Sequence, residues 1–223
     1  MIRVQRCNCC GIDRLVVLDF IMPQRRDFAI VKKLDEKSID SLQKAFPVEA
    51  MDWIHPLFHY RQTPVRAIIW EIKYKGNTKP LDYIGRLIYE EIIALVSDIA
   101  LFNHDAEFLL IPIPITKERR MERGYNQSEY LAKAILQSDS ARGLIYAPQW
   151  LVKVKDTPRQ SHSQSREERV KNLAGSFEAD QRVEGKYVIL IDDVVTTGST
   201  LSEARKTLLE ASARDVFGFT IAH

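Results

Sequence analysis

Apolar residues recur at helical spacing over 65–74 and again over 81–99, where Ile84, Leu87, Ile88, Ile92 and Leu95 share one face. Two amphipathic helices are expected there. The stretch EFLLIPIPI, 107–115, is short and almost wholly apolar, the pattern of a buried strand. A long polar connection, TKERRMERGY at 116–125, separates it from NQSEYLAKAILQ, which reads as a helix opening at Asn126. Farther on, WLVKVK at 150–155 reads as a short strand and KYVILIDD at 186–193 as a buried one. TLSEARKTLLEASA at 200–213 is an amphipathic helix and DVFGFTIA at 215–222 a closing strand. Between the strands at 150–155 and 186–193, DTPRQSHSQSREERVKNLAGSF, 156–177, has almost no apolar content, so a mobile loop is expected.

This alternation of strands and helices predicts an α/β fold with a mostly parallel central sheet flanked by helices. Such sheets bind ligands beyond the carboxyl ends of their strands, where each polar loop here begins. Residues 1–55 show no clear period and are expected to form a small helical lead-in, leaving 56–223 as the main domain.

Composition narrows the classes. With 223 residues and 45% hydrophobic content the chain supports one substantial domain and a small appendage. Its 32 basic and 30 acidic residues nearly cancel, so attraction to phosphates must come from local clusters. No apolar run approaches the roughly 20 residues a bilayer span needs, and MIRVQRCNCC lacks the apolar core of a signal peptide. No membrane insertion and a cytoplasmic location are expected. The three cysteines, Cys7, Cys9 and Cys10, sit too close together for a disulfide framework. Cys7 and Cys10 have the spacing of half a zinc site, but no second pair follows, so reduced thiols or a site shared with a partner are the expectation.

The chemistry concentrates in VILIDDVVTTGST, Val188 to Thr200. Between a strand and a helix N-terminus, the hydroxyls and backbone N–H groups of Thr196, Thr197, Gly198, Ser199 and Thr200 can converge on an anion. A phosphate is the natural guest. Asp192 and Asp193 would repel a second phosphate, yet they can accept hydrogen bonds from a sugar diol and help hold hydrated Mg²⁺, in part through water. The order therefore matches a sugar phosphate. There is neither a Walker loop nor a Rossmann fingerprint.

This pattern closely resembles the phosphoribosyl pyrophosphate (PRPP) motif of type I phosphoribosyltransferases. The resemblance implies that fold, with Asp192 and Asp193 on the ribose hydroxyls and 196–200 around the 5′-phosphate. Thr196 stands where purine-salvage members often carry aspartate, so the loop looks more like the orotate or amido-transfer branches. Pro112 and Pro114, followed by Arg120, Arg123, Gly124, Tyr125, Asn126 and Gln127, resemble the signature of the ComF competence-protein family. HYRQTPVRAIIWEIKYKG upstream and the 156–177 loop downstream extend the likeness, the latter through Gln160, Arg169, Asn172 and Phe177. Family members commonly carry two C-x-x-C pairs, whereas LDFIMPQRRDF has Gln24 where cysteine is expected, so zinc at Cys7 and Cys10 is not anticipated.

Pro114, Lys117, Arg119, Arg120, Arg123 and Asn126 thus form an expected pyrophosphate loop, Arg123 foremost, through bidentate guanidinium contacts. A solvated charged face, or an arm touching nucleic-acid phosphates, remains the alternative. Gln160, Arg166 and Arg169 belong either to a lid over the ribose or to a tether. Two functions follow. One is Mg²⁺-dependent transfer of a phosphoribosyl group, with Asp192, Asp193 and Arg123 as the catalytic set and an unassigned acceptor. The other is a non-catalytic module that binds PRPP or a nucleotide, or handles single-stranded DNA with DNA-uptake proteins. A homodimer is compatible with both.

Overall fold

The computed structural model describes residues 3–6, 13–16, 39–45, 51–75, 78–155 and 173–223. Five strands form one sheet in the order β3 (Ile54–Phe58), β9 (Asp215–Ala222), β8 (Tyr187–Val194), β4 (Phe108–Pro112) and β5 (Leu144–Tyr146). Every pairing in it is parallel. Two short antiparallel pairs complete the strands: β1 (Arg3–Arg6) with β2 (Asp13–Val16), and β6 (Leu151–Lys153) with β7 (Phe177–Ala179).

Strand β8 lies at the centre and is apolar on both faces. Ile189 and Ile191 enter a core with helices α1 (Thr63–Lys75), α2 (Lys79–Phe102) and α4 (Gln127–Ser138). Val188 and Leu190 face the opposite core, shared with Leu201, Ala204 and Leu208 of helix α5 (Ser199–Glu210). The doubly buried strand explains why 186–193 reads as a continuous apolar run. No helix among the described residues is long and apolar enough to cross a membrane.

Three local expectations need correction. The connection at 116–125 contains a helix, α3 (Lys117–Arg123). Thr116 caps it by accepting from the Arg119 N–H, and Gly124 ends it in the left-handed region at φ 77°. The lead-in is not simply helical, since β1 and β2 are strands. Finally, the expected boundary after residue 55 falls inside β3. That strand carries Pro56, which weakens its strand signal, yet proline is tolerated because β3 is the sheet edge. Cys7, Cys9, Cys10 and Gln24 lie outside the described residues.

Helices α2 and α4 meet at Gly85. A Cβ there would lie 2.7 Å from the Ala134 carbonyl carbon and 2.9 Å from the Ile135 nitrogen, both backbone atoms. The helices would have to separate to admit even a methyl group. Gly85→Ala is expected to cost about 1–3 kcal/mol in urea unfolding, as overpacking typically does. The control Gly143→Ala, whose Cβ meets only Asp139 Oδ1 at 4.0 Å, should stay near wild type.

Candidate functional site

The central strand brings Asp192 and Asp193 to the rim of the sheet while their backbones are still inside it: Asp192 is paired with Thr220 of β9. Both carboxylates are half-buried and each has a protein partner. Asp192 Oδ1 accepts from Ser128 Oγ at 3.0 Å and from the Asp193 N–H at 2.9 Å. Asp193 Oδ2 lies 2.9 Å from Lys73 Nζ, with the two side chains only 13% and 17% exposed. Lys73 comes from the last turn of α1. That turn is fixed by Tyr125, whose hydroxyl is within hydrogen-bond distance of the carbonyls of Ile72 (2.9 Å) and Lys73 (3.2 Å).

Burial and, secondarily, the charge of Asp193 push the Asp192 carboxyl up from its ordinary 3.8 to about 7. The Asp193 N–H, Lys73 and Ser128 pull in the opposite direction and do not overcome those effects. Below about pH 7 Asp192 of the free protein therefore keeps a proton that an exposed carboxyl would lose.

Directly after the carboxylates the chain turns into α5. Val195 is buried, Thr196 is exposed, and Thr197 Oγ1 lies 2.8 Å from Ser199 Oγ. Gly198 starts the helix at φ 72° and offers no side chain of its own as a cap, while the Ser199 N–H reaches Thr197 Oγ1 at 3.5 Å. The start of α5 thus presents first-turn backbone N–H groups, the part of a helix where an anion is ordinarily favoured. Beneath the turn sits Met51: a Cβ on Gly198 would meet its sulfur at 2.5 Å. Glycine is favoured here by its dihedral, and a larger residue would also have to push aside the flexible end of Met51.

The expected pyrophosphate loop divides. Asn126 is buried and committed internally, donating to the Ile113 carbonyl at 3.0 Å and accepting from the Ser128 N–H at 3.1 Å. It ties the exit of β4 to the start of α4 and so places Ser128 against Asp192. Arg120 makes a bidentate pair with Glu129, at 2.8 and 2.7 Å. Pro114 and Arg119 are half-buried and Lys117 is exposed. Arg123 has its backbone in α3, but its side chain, like Gln160, Arg166 and Arg169, lies outside the described residues. Lys73 and Ser128 are the site residues that sequence reasoning missed. The signal available for Lys73 was its place in IKYKG, a region already within the family likeness.

No group of three or more His, Cys, Asp or Glu side chains gathers around a metal position among the described residues. Two adjacent carboxylates do fit hydrated Mg²⁺, which ordinarily keeps several waters and completes its shell with ligand oxygens. A cavity of about 180 Å³ lined by Lys44, His55, Leu57, Ile88, Glu91 and Phe219 shares no residue with this rim.

No family model matches the chain. The DNA utilization protein YhgH of Salmonella typhimurium is 28% identical over 153 residues, covering 69% of this chain and 64% of that protein. The competence protein ComFC of Bacillus subtilis is 36% identical over 121 residues, covering 52% and 45%. ComFC of Streptococcus pneumoniae is 33% identical over 115 residues, covering 52% and 48%. The chain therefore spans less than two thirds of the length of these relatives. Among solved structures, the glutamine PRPP amidotransferase of B. subtilis complexed with ADP and GMP aligns with TM-score 0.42 and 18% identity, over 69% of this chain and 30% of that one. A phosphoribosyltransferase from Corynebacterium diphtheriae aligns with TM-score 0.35 and 17% identity, over 87% and 81%.

Two outcomes are expected of the free protein. Because the folded state holds the Asp192 proton between pH 3.8 and about 7 while the unfolded chain loses it, this group makes folding less favourable as pH rises through that window. Asp192→Asn should therefore melt higher than wild type at pH 8, with the advantage fading toward pH 4, in a thermal-unfolding series. Gly198→Ala should lose about 1–3 kcal/mol of stability through strain at φ 72° and displacement of Met51.

Proposed function

We propose, for a chain that belongs to the ComF family of the type I phosphoribosyltransferase superfamily, that the β8 rim binds PRPP or another ribose 5-phosphate ligand together with Mg²⁺. The observation that carries this reading is the succession, after one strand end, of two carboxylates and a helix N-terminus opened by glycine. A ribose 5-phosphate carries a diol and a phosphate, and these groups complement that succession. Asp192 and Asp193 accept from the ribose hydroxyls, and residues 196–200 surround the 5′-phosphate. Lys117, Arg119 and Arg123 supply positive charge on the side of the pyrophosphate, while Arg120 is drawn toward Glu129. Asn126 acts through Ser128, as a positioning residue for Asp192. When bound, Mg²⁺ offsets the negative charge of the pyrophosphate.

On this reading the reaction is transfer of the phosphoribosyl group to an acceptor, with Asp192 and Asp193 orienting the ribose and Arg123 stabilising the departing pyrophosphate. The relatives' names, DNA utilization protein and competence protein, support a link to DNA, and our second reading on the same fold is a non-catalytic adaptor that handles single-stranded DNA. Lys117, exposed on α3, and its neighbour Arg119 would then meet DNA phosphates.

Calorimetric titration with PRPP at several Mg²⁺ concentrations separates these readings. Wild type is expected to bind PRPP in a Mg²⁺-dependent manner, and an Asp192→Asn, Asp193→Asn variant to lose binding by about 100-fold or more, since it loses two charged contacts. No PRPP binding by wild type at millimolar Mg²⁺ would refute the pocket. Single-stranded DNA binding that weakens steeply between low and moderate salt, and more so than PRPP binding, would favour the adaptor. Phosphorus NMR for released pyrophosphate across a panel of acceptors then decides whether turnover occurs.

A further inference from the structure

One carboxylate at the rim already has a cation. Lys73 Nζ stands 2.9 Å from Asp193 Oδ2, and both side chains are largely withdrawn from water. The pair is built rather than incidental. The α1 backbone that carries Lys73 is held at the carbonyls of Ile72 and Lys73 by the Tyr125 hydroxyl, so the ammonium is delivered from a fixed turn. A four-carbon stem separates the ammonium from that turn.

A Mg²⁺ ion bound directly by Asp193 would lie about 2.1 Å from a carboxylate oxygen, and one bound through water about 4 Å away. In either place it would sit within a few ångströms of the ammonium. Like charges that close repel strongly where water is partly excluded. The same carboxylate therefore cannot serve both cations at full strength.

We infer that Lys73 is the built-in counter-ion of the diacid, and that Mg²⁺ must displace its ammonium from Asp193 to enter. The lysine thereby sets the Mg²⁺ concentration at which the site fills. This rests on the reading that the β8 rim takes Mg²⁺, and it adds the residue that regulates that step. Without a cation the lysine limits repulsion between two adjacent carboxylates; with one it is released. Removing the lysine charge should strengthen metal binding, the opposite of what a residue that merely supports the site would show.

The test uses the intact chain without any sugar phosphate. Mn²⁺, a spectroscopic stand-in for Mg²⁺, is titrated at pH 8 and followed by electron paramagnetic resonance. Lys73→Met should bind Mn²⁺ about tenfold more tightly than wild type, within the usual range for coupling between two ligands. Lys73→Arg should stay near wild type, and adding Asp193→Asn to Lys73→Met should abolish the gain. Independently of any variant's folding, acylation of Lys73 in wild type, read by mass spectrometry, should accelerate when Mg²⁺ is added. Unchanged or weaker Mn²⁺ binding by Lys73→Met, or Lys73 reactivity indifferent to Mg²⁺, would overturn the inference. Because PRPP takes no part, a wild type that fails to bind PRPP while passing this test would refute the ligand reading alone. A wild type that binds PRPP but fails here would lose only the role of Lys73.

Discussion

Two neighbouring carboxylates at the end of a strand buried on both faces must be compensated, and the compensation at Asp192 and Asp193 comes from two distant parts of the chain and from the strand itself. Ser128 at the start of α4 donates to one, Lys73 at the end of α1 pairs with the other, and the strand's own Asp193 N–H turns back to Asp192. Like charges held this close in a half-buried setting raise the cost of ionising both. Asp192 bears that cost in the free protein, since its partners do not outweigh burial and the charge beside it. Positive charge added near the rim would therefore ease the ionisation of Asp192.

A few specific contacts hold those partners in register. Gly85 lets α2 and α4 approach closely enough that a side chain would strike the Ala134 backbone, and α4 carries Ser128. Asn126 anchors the beginning of α4 to the exit of β4 through the Ile113 carbonyl. Tyr125, its neighbour, anchors the end of α1. A single short junction between α3 and α4 thus fixes both the hydroxyl that serves Asp192 and the turn that presents Lys73. Residues that resemble a ligand-binding signature can owe their pattern to this positioning, and Asn126 is the clearest instance.

The helices at 65–74 and 81–99 and the strand at 186–193 were legible because burial imposes a period, or a full apolar run, on the residues themselves. The strand β3 was not, because Pro56 masks a strand that only its place at the sheet edge makes tolerable. Helix α3 was hidden for another reason. KERRMER has no apolar face, and the helix depends on Thr116 and Gly124 at its ends together with the Arg120 pair to Glu129. That pair also changes the reading of Arg120, since charge pattern alone does not distinguish a guanidinium awaiting phosphate from one already committed to a carboxylate.

By itself the sequence determined the internal order of the segment proposed to bind a ligand. Its apolar run, its acids and its hydroxyl-rich turn are contiguous, and local order along one strand and one helix start is what arranges them. Only the tertiary structure decided how that segment is charged. Lys73 stands 120 residues before Asp193 in the numbering, and Ser128 is 64 residues from Asp192. Neither distance leaves a periodic or local trace, because electrostatic compensation acts through space and depends on which helix ends the parallel sheet gathers at its rim.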